Sequence, residues 1–184
     1  MKRRVAVLFA FVFAIGACHD NVLGTASKTP VPAVHRIPAD VEGTVILIDR
    51  DPIIESKDPN HLERAKEKNV PHDYRAAMIS AFELAGFRVV ETAGKHDVVA
   101  KLALAVEEEG SFNPKVHQTY RCGLYDKAGA LVAQVDWRWP EGVYVDAFDV
   151  YAFATHNLAT EVATSRQVLA WLRGRKGGHD TVAP

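Results

Sequence analysis

The sequence contains few cysteines and has no excess of positive charge. Its 184 residues include two cysteines and carry 22 basic against 23 acidic side chains. No cysteine pair has the spacing of a zinc site, and no basic stripe with interleaved aromatic residues is present. The apolar run near the N-terminus is too short for a stable membrane span. Zinc binding through paired cysteines is thereby excluded, and nucleic-acid binding is not expected.

Local catalytic motifs are also missing. The chain has no Gly-x-Ser-x-Gly elbow, no His-Glu-x-x-His and no glycine-rich phosphate loop. The run Glu107-Glu108-Glu109 is either a paired-carboxylate or cation site or, as we favour, a solvated charge run at a strand end. Eight histidines share no metal-ligand spacing and are expected to be scattered over the surface: His19, His35, His61, His72, His96, His117, His156 and His179. We therefore predict no catalytic residue, no metal site and no cofactor.

The N-terminal residues have the layout of a secretory signal. Lys-Arg-Arg at positions 2–4 precedes an apolar run that ends in Ile15-Gly16-Ala17-Cys18. This ending resembles the lipobox of bacterial lipoproteins, in which a branched apolar residue and two small residues precede an obligatory cysteine. The resemblance implies that residues 1–17 are a signal peptide and that Cys18 becomes the first mature residue, carrying fatty acyl chains such as palmitate on its sulfur and nitrogen. The alternative is an ordinary Cys18 beside a soluble-secretion cleavage site or inside an uncleaved anchor.

Lipidation of Cys18 predicts where the protein lies. Each buried methylene contributes about 0.8 kcal/mol, so two or more acyl chains hold a protein stably on a membrane. In lipoproteins of the enteric type an Asp after the cysteine retains the protein in the inner membrane, so His19 favours the outer membrane, facing the periplasm. Removing the signal lowers the basic count from 22 to 19 against 23 acids, a net charge of −4.

The rest of the chain is predicted to form one domain between two flexible ends. Residues 18–42 contain three prolines and no sustained period, which is typical of a tether reaching on the order of 25 Å. Residues 43–174 are predicted to be a single α+β domain, and residues 175–184 a flexible tail. Apolar residues make up 48% of the chain, enough for a substantial core.

Periodicity within the domain predicts five strands and two helices. The pattern favours a two-layer sandwich, in which a mostly antiparallel sheet of four to five strands packs two helices on one face. Gly86 is predicted to end the first helix, and Asp126–Gly129 to form a hairpin turn. Residues 51–71 are predicted to be a long surface loop with a helical turn at 61–68. The strands are predicted at 44–49, 87–91, 97–107, 116–126 and 131–139, and the helices at 73–85 and 149–173.

A few residues are candidates for interaction or reactivity. Cys122 is either a nucleophile or, as we favour, a buried small apolar residue. Trp137 and Trp139 recur at period two and are interpreted either as part of the core floor, which we favour, or as a rim that meets a partner. Tyr144 lies in the following turn. We take Trp137, Trp139 and Tyr144 as candidate partner-binding residues.

The layout as a whole resembles small envelope-assembly lipoproteins. The segments concerned are the lipobox, the tether, Phe82-Glu83-Leu84-Ala85-Gly86-Phe87-Arg88-Val89-Val90, Asp97-Val98-Val99-Ala100-Lys101-Leu102, the hairpin and the C-terminal helix. They are similar to the lipopolysaccharide-assembly lipoprotein and to the penicillin-binding-protein activator lipoproteins, whose domain is related to the curli-secretion lipoprotein. The resemblance covers about residues 43–173 and is one of layout with few fixed identities.

The resemblance implies a membrane-anchored, non-enzymatic module that binds or assembles another envelope component. Its partners would be the membrane, through Cys18, and an envelope protein or glycolipid. Two alternatives remain at this point. One is a small-ligand or metal binder, or an enzyme, whose site forms only in three dimensions, for example around His72, His96, His117 or His156. The other is an inhibitor or immunity-type lipoprotein.

Overall fold

In the computed structural model, the described residues form six strands and four helices, arranged as a single mixed sheet with a helical layer. The structure describes residues 28–110, 115–141, 143, 145 and 149–179, with side chains up to residue 175. The elements are β1 (Val45–Leu47), β2 (Ile53–Ser56), α1 (Pro59–Glu67), α2 (Val70–Leu84), β3 (Arg88–Val90), β4 (Val98–Glu109), β5 (Lys115–Tyr125), β6 (Leu131–Arg138), α3 (Val150–Thr164) and α4 (Arg166–His179).

The sheet is mixed, so the prediction of a mostly antiparallel sheet is wrong. The prediction of two helices is also wrong, because the described residues form four. Strand order is β3-β1-β4-β5-β6, and β2 pairs with β4 as well. The strands β1, β2 and β3 all run parallel to their neighbours, whereas β4, β5 and β6 form an antiparallel meander. Parallel pairing requires a long crossover, and the helices α1 and α2 supply it between β1 and β3.

The two-layer arrangement with helices on one face is present. Side chains at alternating positions of β4 and β5, such as Leu102, Leu104 and Cys122, are buried against α2, α3 and α4. Tyr74 and Tyr120 meet edge to face at 5.2 Å in the centre of this core. The other face of the sheet, which we call the outer face, carries the alternate residues Lys101, Arg121, Gln134 and Asp136.

The region 51–71, predicted to be a loop, contains β2, α1 and the first residues of α2. The strand β2 has only four residues, and Ile53 within it is 66% exposed, so it lacks a buried apolar run. The helix α1 begins at Pro59, and the Asp58 side chain caps it by accepting a hydrogen bond from the Asn60 N–H at 2.9 Å. The helix α2 begins at Val70 instead of after Asp73.

The predicted end of α2 at Gly86 is confirmed. Gly86 has a φ of 92°, which a glycine adopts without steric penalty. Its N–H donates to the Glu83 carbonyl, and the Phe87 N–H donates to the Phe82 carbonyl, both at 3.0 Å. The rings of Phe82 and Phe87 pack with centroids 5.4 Å apart. These contacts form a complete Schellman motif with its hydrophobic contact.

The C-terminal helix predicted over 149–173 is two helices that meet at Ser165. Ser165 has extended backbone angles, and its Oγ lies 3.4 Å from the Val168 N–H at the start of α4. A serine hydroxyl competes for backbone donors in this way, which a periodic apolar pattern does not reveal. The helix α4 then continues through Gly174 to His179, into the segment predicted as a flexible tail; residues 180–184 lie outside the described part.

The segment 32–42, predicted to be part of the tether, packs on the helical layer. Ile37 and Val41 are 5% and 0% exposed and belong to the main core. The Ile37 N–H donates to the Ala85 carbonyl at 2.8 Å, the carbonyl of Pro32 lies 2.8 Å from His156 Nδ1, and Asp40 pairs with Arg173. The packed domain therefore begins at Pro32 and not at residue 43.

Candidate functional site

Two distant stretches of the chain meet where β2 and β4 end. The parallel register pairs Ser56 with Val106. Continuing that register by two residues brings Asp58 beside Glu108, because the carboxyl ends of parallel strands lie at the same edge of a sheet. His61 follows in the first turn of α1. Ser56, Asp58, His61 and Glu108 form what we call the His61 cluster.

The imidazole of His61 is held from both ring nitrogens. Its Nδ1 lies 3.0 Å from Ser56 Oγ, and its Nε2 lies 3.1 Å from Glu108 Oε1. The side chain of His61 is 18% exposed. Ser56 Oγ also accepts the Asp58 N–H at 3.1 Å, so the hydroxyl is fixed in place. The ring can carry its proton on Nε2 toward Glu108, or carry it on Nδ1 and present the Nε2 lone pair to a cation.

The carboxylate of Asp58 is the second one near Nε2 of His61. Its Oδ1 accepts hydrogen bonds from the backbone and side-chain nitrogens of Asn60, both at 2.9 Å. Its Oδ2 lies 3.9 Å from His61 Nε2. One atom each from Asp58, His61 and Glu108 thus lies within 4.8 Å of the other two, a grouping able to hold a metal ion.

The sequence gives no local signal for the His61 cluster. Asp58 and His61 are three residues apart, but Glu108 is far away along the chain, so a search for local ligand spacing does not join them. Glu107-Glu108-Glu109 is exposed, as expected of a charge run, yet Glu108 and Glu109 each contact a histidine. Only the parallel pairing of β2 with β4 links the two stretches, and the sequence pattern predicts a loop where β2 lies.

A second histidine–carboxylate pair lies on the opposite face of the sheet. His117 Nε2 is 3.1 Å from Glu109 Oε2, and His117 is 9% exposed. Consecutive residues of a strand point to opposite faces, which is why Glu108 and Glu109 serve different histidines. The remaining candidates lie elsewhere: His72 is exposed, His96 contacts the Gly94 carbonyl, and His156 holds the N-terminal segment.

Trp137 and Trp139 belong to an aromatic group beside the core. The two rings lie 5.7 Å apart, and both contact Phe153 of α3. Both are half-buried, and Trp139 Nε1 donates to the Val143 carbonyl at 3.2 Å. Their packing fits the favoured core interpretation, and a role in partner binding stays a prediction. Tyr144 lies outside the described residues.

The outer face of the sheet carries paired charges of both signs. Arg121 on β5 lies between Glu55 on β2 and Asp136 on β6, and it forms an ion pair with each. Ala103 and Ala105 occupy the intervening positions of β4, so the long side chains of Glu55 and Arg121 can meet across that strand. Lys101 lies over the ring of Tyr125 at 4.2 Å.

Of the two cysteines, the structure describes Cys122, which is fully buried. Burial raises the pKa of the Cys122 thiol to about 12, and the nearby charge of Asp136 adds to this effect. A thiol with so high a pKa carries almost no thiolate at neutral pH. The interpretation of Cys122 as a buried apolar residue is confirmed. Cys18 lies outside the described residues.

We expect the Cys122 thiol to resist alkylation in the folded protein and to react fully in denaturant. An unfolded thiol ionises near pH 8.5, so unfolding releases a proton above that pH. The free energy of unfolding should therefore fall between roughly pH 9 and 12, by up to about 1.4 kcal/mol per pH unit. Denaturant titrations against Cys122→Ala measure this contribution, since the variant should lose less stability over that range. An equal loss in both proteins would contradict the prediction.

Comparisons with known proteins do not assign the chain to a family. No protein-family model and no curated protein matches it. One similar solved structure is a homolog of neuraminyllactose-binding hemagglutinin from Helicobacter pylori, with 14% identity, 80% of this chain and 97% of that chain covered, and a TM-score of 0.39. A DUF330 protein from Xanthomonas campestris has 14% identity, 84% and 99% coverage, and a TM-score of 0.38. A minor lipoprotein from Acinetobacter baumannii has 9% identity, 74% and 96% coverage, and a TM-score of 0.29.

Every one of these TM-scores is below 0.5, so the similarities decide neither fold family nor activity. Within residues 28–110, 115–141 and 149–179, none of the helices combines the length and apolar character needed to cross a bilayer.

Proposed function

We propose that the protein is a lipid-anchored module of the bacterial envelope that binds another envelope protein without catalysing a reaction. The lipobox-like ending at Cys18 supports the anchor, and His19 favours the outer membrane. The observation that carries the binding role is the packing of segment 32–42 on the helical layer, opposite the outer face of the sheet. The described chain thus enters the domain from the helical side, and we assign the outer face, with its exposed Lys101 and Gln134, to the partner.

The reach of the anchor follows from where the packed domain begins. With Pro32 held by His156, at most residues 19–31 separate the lipidated cysteine from the domain, since Lys28 also makes a contact. Taken as a flexible coil, they would span about 20 Å. That length clears the lipid headgroups while raising the local concentration of the domain near a partner in the same membrane.

The charges of the outer face favour a protein over an anionic glycolipid as the partner. Glu55 and Asp136 alternate with Lys101 and Arg121, so the face has no net sign. Complementary potentials guide association, and a mixed pattern is matched by a protein surface with its own mixed charges. A phosphorylated glycolipid would instead favour a surplus of basic side chains.

Site-specific photo-crosslinking in cells expressing the full chain tests the proposal. A photoreactive residue at Lys101 or Gln134, both exposed on the outer face, should give one discrete protein adduct in the membrane fraction. The control positions Glu83 and Glu161 are equally exposed but lie on helices, and they should not give that adduct. The proposed partner surface would be refuted by adducts from the helical positions alone, by a glycolipid adduct, or by no adduct at all.

A further inference from the structure

We propose that Asp58, His61 and Glu108 bind a divalent transition-metal cation of the Zn²⁺ class, with water or a ligand group completing the coordination. This goes beyond the proposed function and does not depend on it. It also departs from the expectation that the chain has no metal site, because these residues come together only through the pairing of β2 with β4.

The spacing of the three side chains suits a small dication. Bonds of about 2.0–2.2 Å at tetrahedral angles place neighbouring ligand atoms about 3.3–3.6 Å apart. Glu108 Oε1 and Asp58 Oδ2 lie 3.1 Å and 3.9 Å from His61 Nε2. The third separation, between the carboxylates of Asp58 and Glu108, is no more than 4.8 Å, so side-chain adjustments of up to about 1 Å would close the coordination shell.

The charges of the cluster suit a cation. Two carboxylates converge on a single imidazole nitrogen, and that nitrogen has at most one proton to donate. Glu108 lies within hydrogen-bond distance of it, whereas Asp58 Oδ2 at 3.9 Å is too far to accept the same proton. A dication at this point would interact with both carboxylates and with the ring at once.

Each ligand atom is positioned by a different local contact. Ser56 Oγ engages His61 Nδ1, which leaves Nε2 facing the two carboxylates. Metal-ligating histidines commonly donate their second N–H to an oxygen acceptor, and the serine hydroxyl offers an oxygen here. The cap of α1 occupies Oδ1 of Asp58 and leaves Oδ2 free to turn toward the ring. The backbone of Glu108 is held by the pairing of β4 with β5, and its side chain reaches His61.

The donor set selects the class of metal. Ca²⁺ and Mg²⁺ prefer shells made of oxygen atoms, whereas an imidazole nitrogen suits Zn²⁺ and its first-row neighbours. Three protein ligands leave at least one coordination position open, as in zinc sites that bind water or substrate. A bound ion would also tie the start of α1 to the ends of β2 and β4, so metal binding should stabilise the fold.

Calorimetric titration of Zn²⁺ into the tag-free full chain in detergent, after removal of metal with a chelator, tests the site. We expect one ion per chain with a Kd in the micromolar range or tighter. Asp58→Asn and Glu108→Gln keep the shape of each side chain, and Asn still caps a helix, yet each should weaken binding at least tenfold. His61→Gln should abolish binding.

Glu109→Gln is the matched control. It removes the same charge from the next residue, but on the opposite face of the sheet beside His117, and it should leave stoichiometry and Kd unchanged. The absorption spectrum of the Co²⁺-loaded chain adds a readout that does not depend on stability, since a low-symmetry site absorbs more strongly than hydrated Co²⁺. The site is overturned if Zn²⁺ binding is not saturable at one ion per chain, or if the Asp58 and Glu108 variants bind as tightly as the wild type.

Discussion

A Cys18→Ala variant is expected to lose all fatty-acid labelling and to accumulate as a longer precursor that retains residues 1–17. Acylation and cleavage of lipoproteins both depend on the cysteine that follows the lipobox, and alanine has no sulfur to accept the lipid. The effect should be all-or-none, because the sulfur of Cys18 is the proposed acceptor of the lipid and cleavage follows its acylation. Metabolic labelling with a fatty acid and intact-mass spectrometry measure both changes.

Cys122→Ala is the control for this experiment, because it removes the other cysteine of the chain. Cys122 is buried in the core, so its loss should leave labelling and processing unchanged. If Cys18→Ala were labelled like the wild type, the anchor at Cys18 would be refuted. If labelling disappeared only in Cys122→Ala, the lipid would be attached to Cys122, and the proposed anchor at Cys18 would be wrong.

An Ile37→Ala variant is expected to lower the free energy of unfolding by about 2–4 kcal/mol, although residue 37 lies in a segment whose composition predicts a tether. Ile37 is 5% exposed and packs in the core beside Gly86. Its Cγ1 would lie 3.4 Å from a Cβ atom added to Gly86. Truncation removes buried methyl and methylene groups and leaves a cavity. Urea unfolding followed by circular dichroism gives the difference between variant and wild type.

Ile53→Ala provides the same substitution at an exposed site. Ile53 is 66% exposed on the short strand β2, so its truncation should cost less than about 1 kcal/mol. Because Ile37→Ala and Ile53→Ala remove the same atoms, the difference between their losses of stability measures the effect of burial. Equal and small losses at both positions would show that segment 32–42 does not pack on the helical layer.

The features predicted correctly from sequence are those whose signal is local. Gly86 ends α2 because a left-handed residue is needed there, and the side chain of Asp126 accepts the N–H groups of Ala128 and Ala130 in the predicted hairpin. The strands β4, β5 and β6 alternate between buried and exposed side chains over many residues, which makes them readable from the period alone.

The errors arise where a short element depends on contacts from elsewhere. The strand β2 is stabilised by pairing with β4 and has no buried run of its own. At the break between α3 and α4, the Ser165 backbone is extended and its hydroxyl accepts the Val168 N–H, neither of which the apolar period indicates. The sequence predicts that Ile37 and Val41 belong to a proline-containing tether. Two apolar residues without a regular period do not indicate that they pack against another part of the chain.

The sequence by itself determined the lipobox-like ending at Cys18, the capped helix ending at Gly86 and the antiparallel meander, because each is encoded in neighbouring residues. The tertiary structure decided the parallel half of the sheet, the start of the domain at Pro32 and the His61 cluster. Asp58 and Glu108 meet because parallel pairing aligns the carboxyl ends of β2 and β4. Such pairing depends on the free energy of packing the whole chain, and no single stretch of residues carries it.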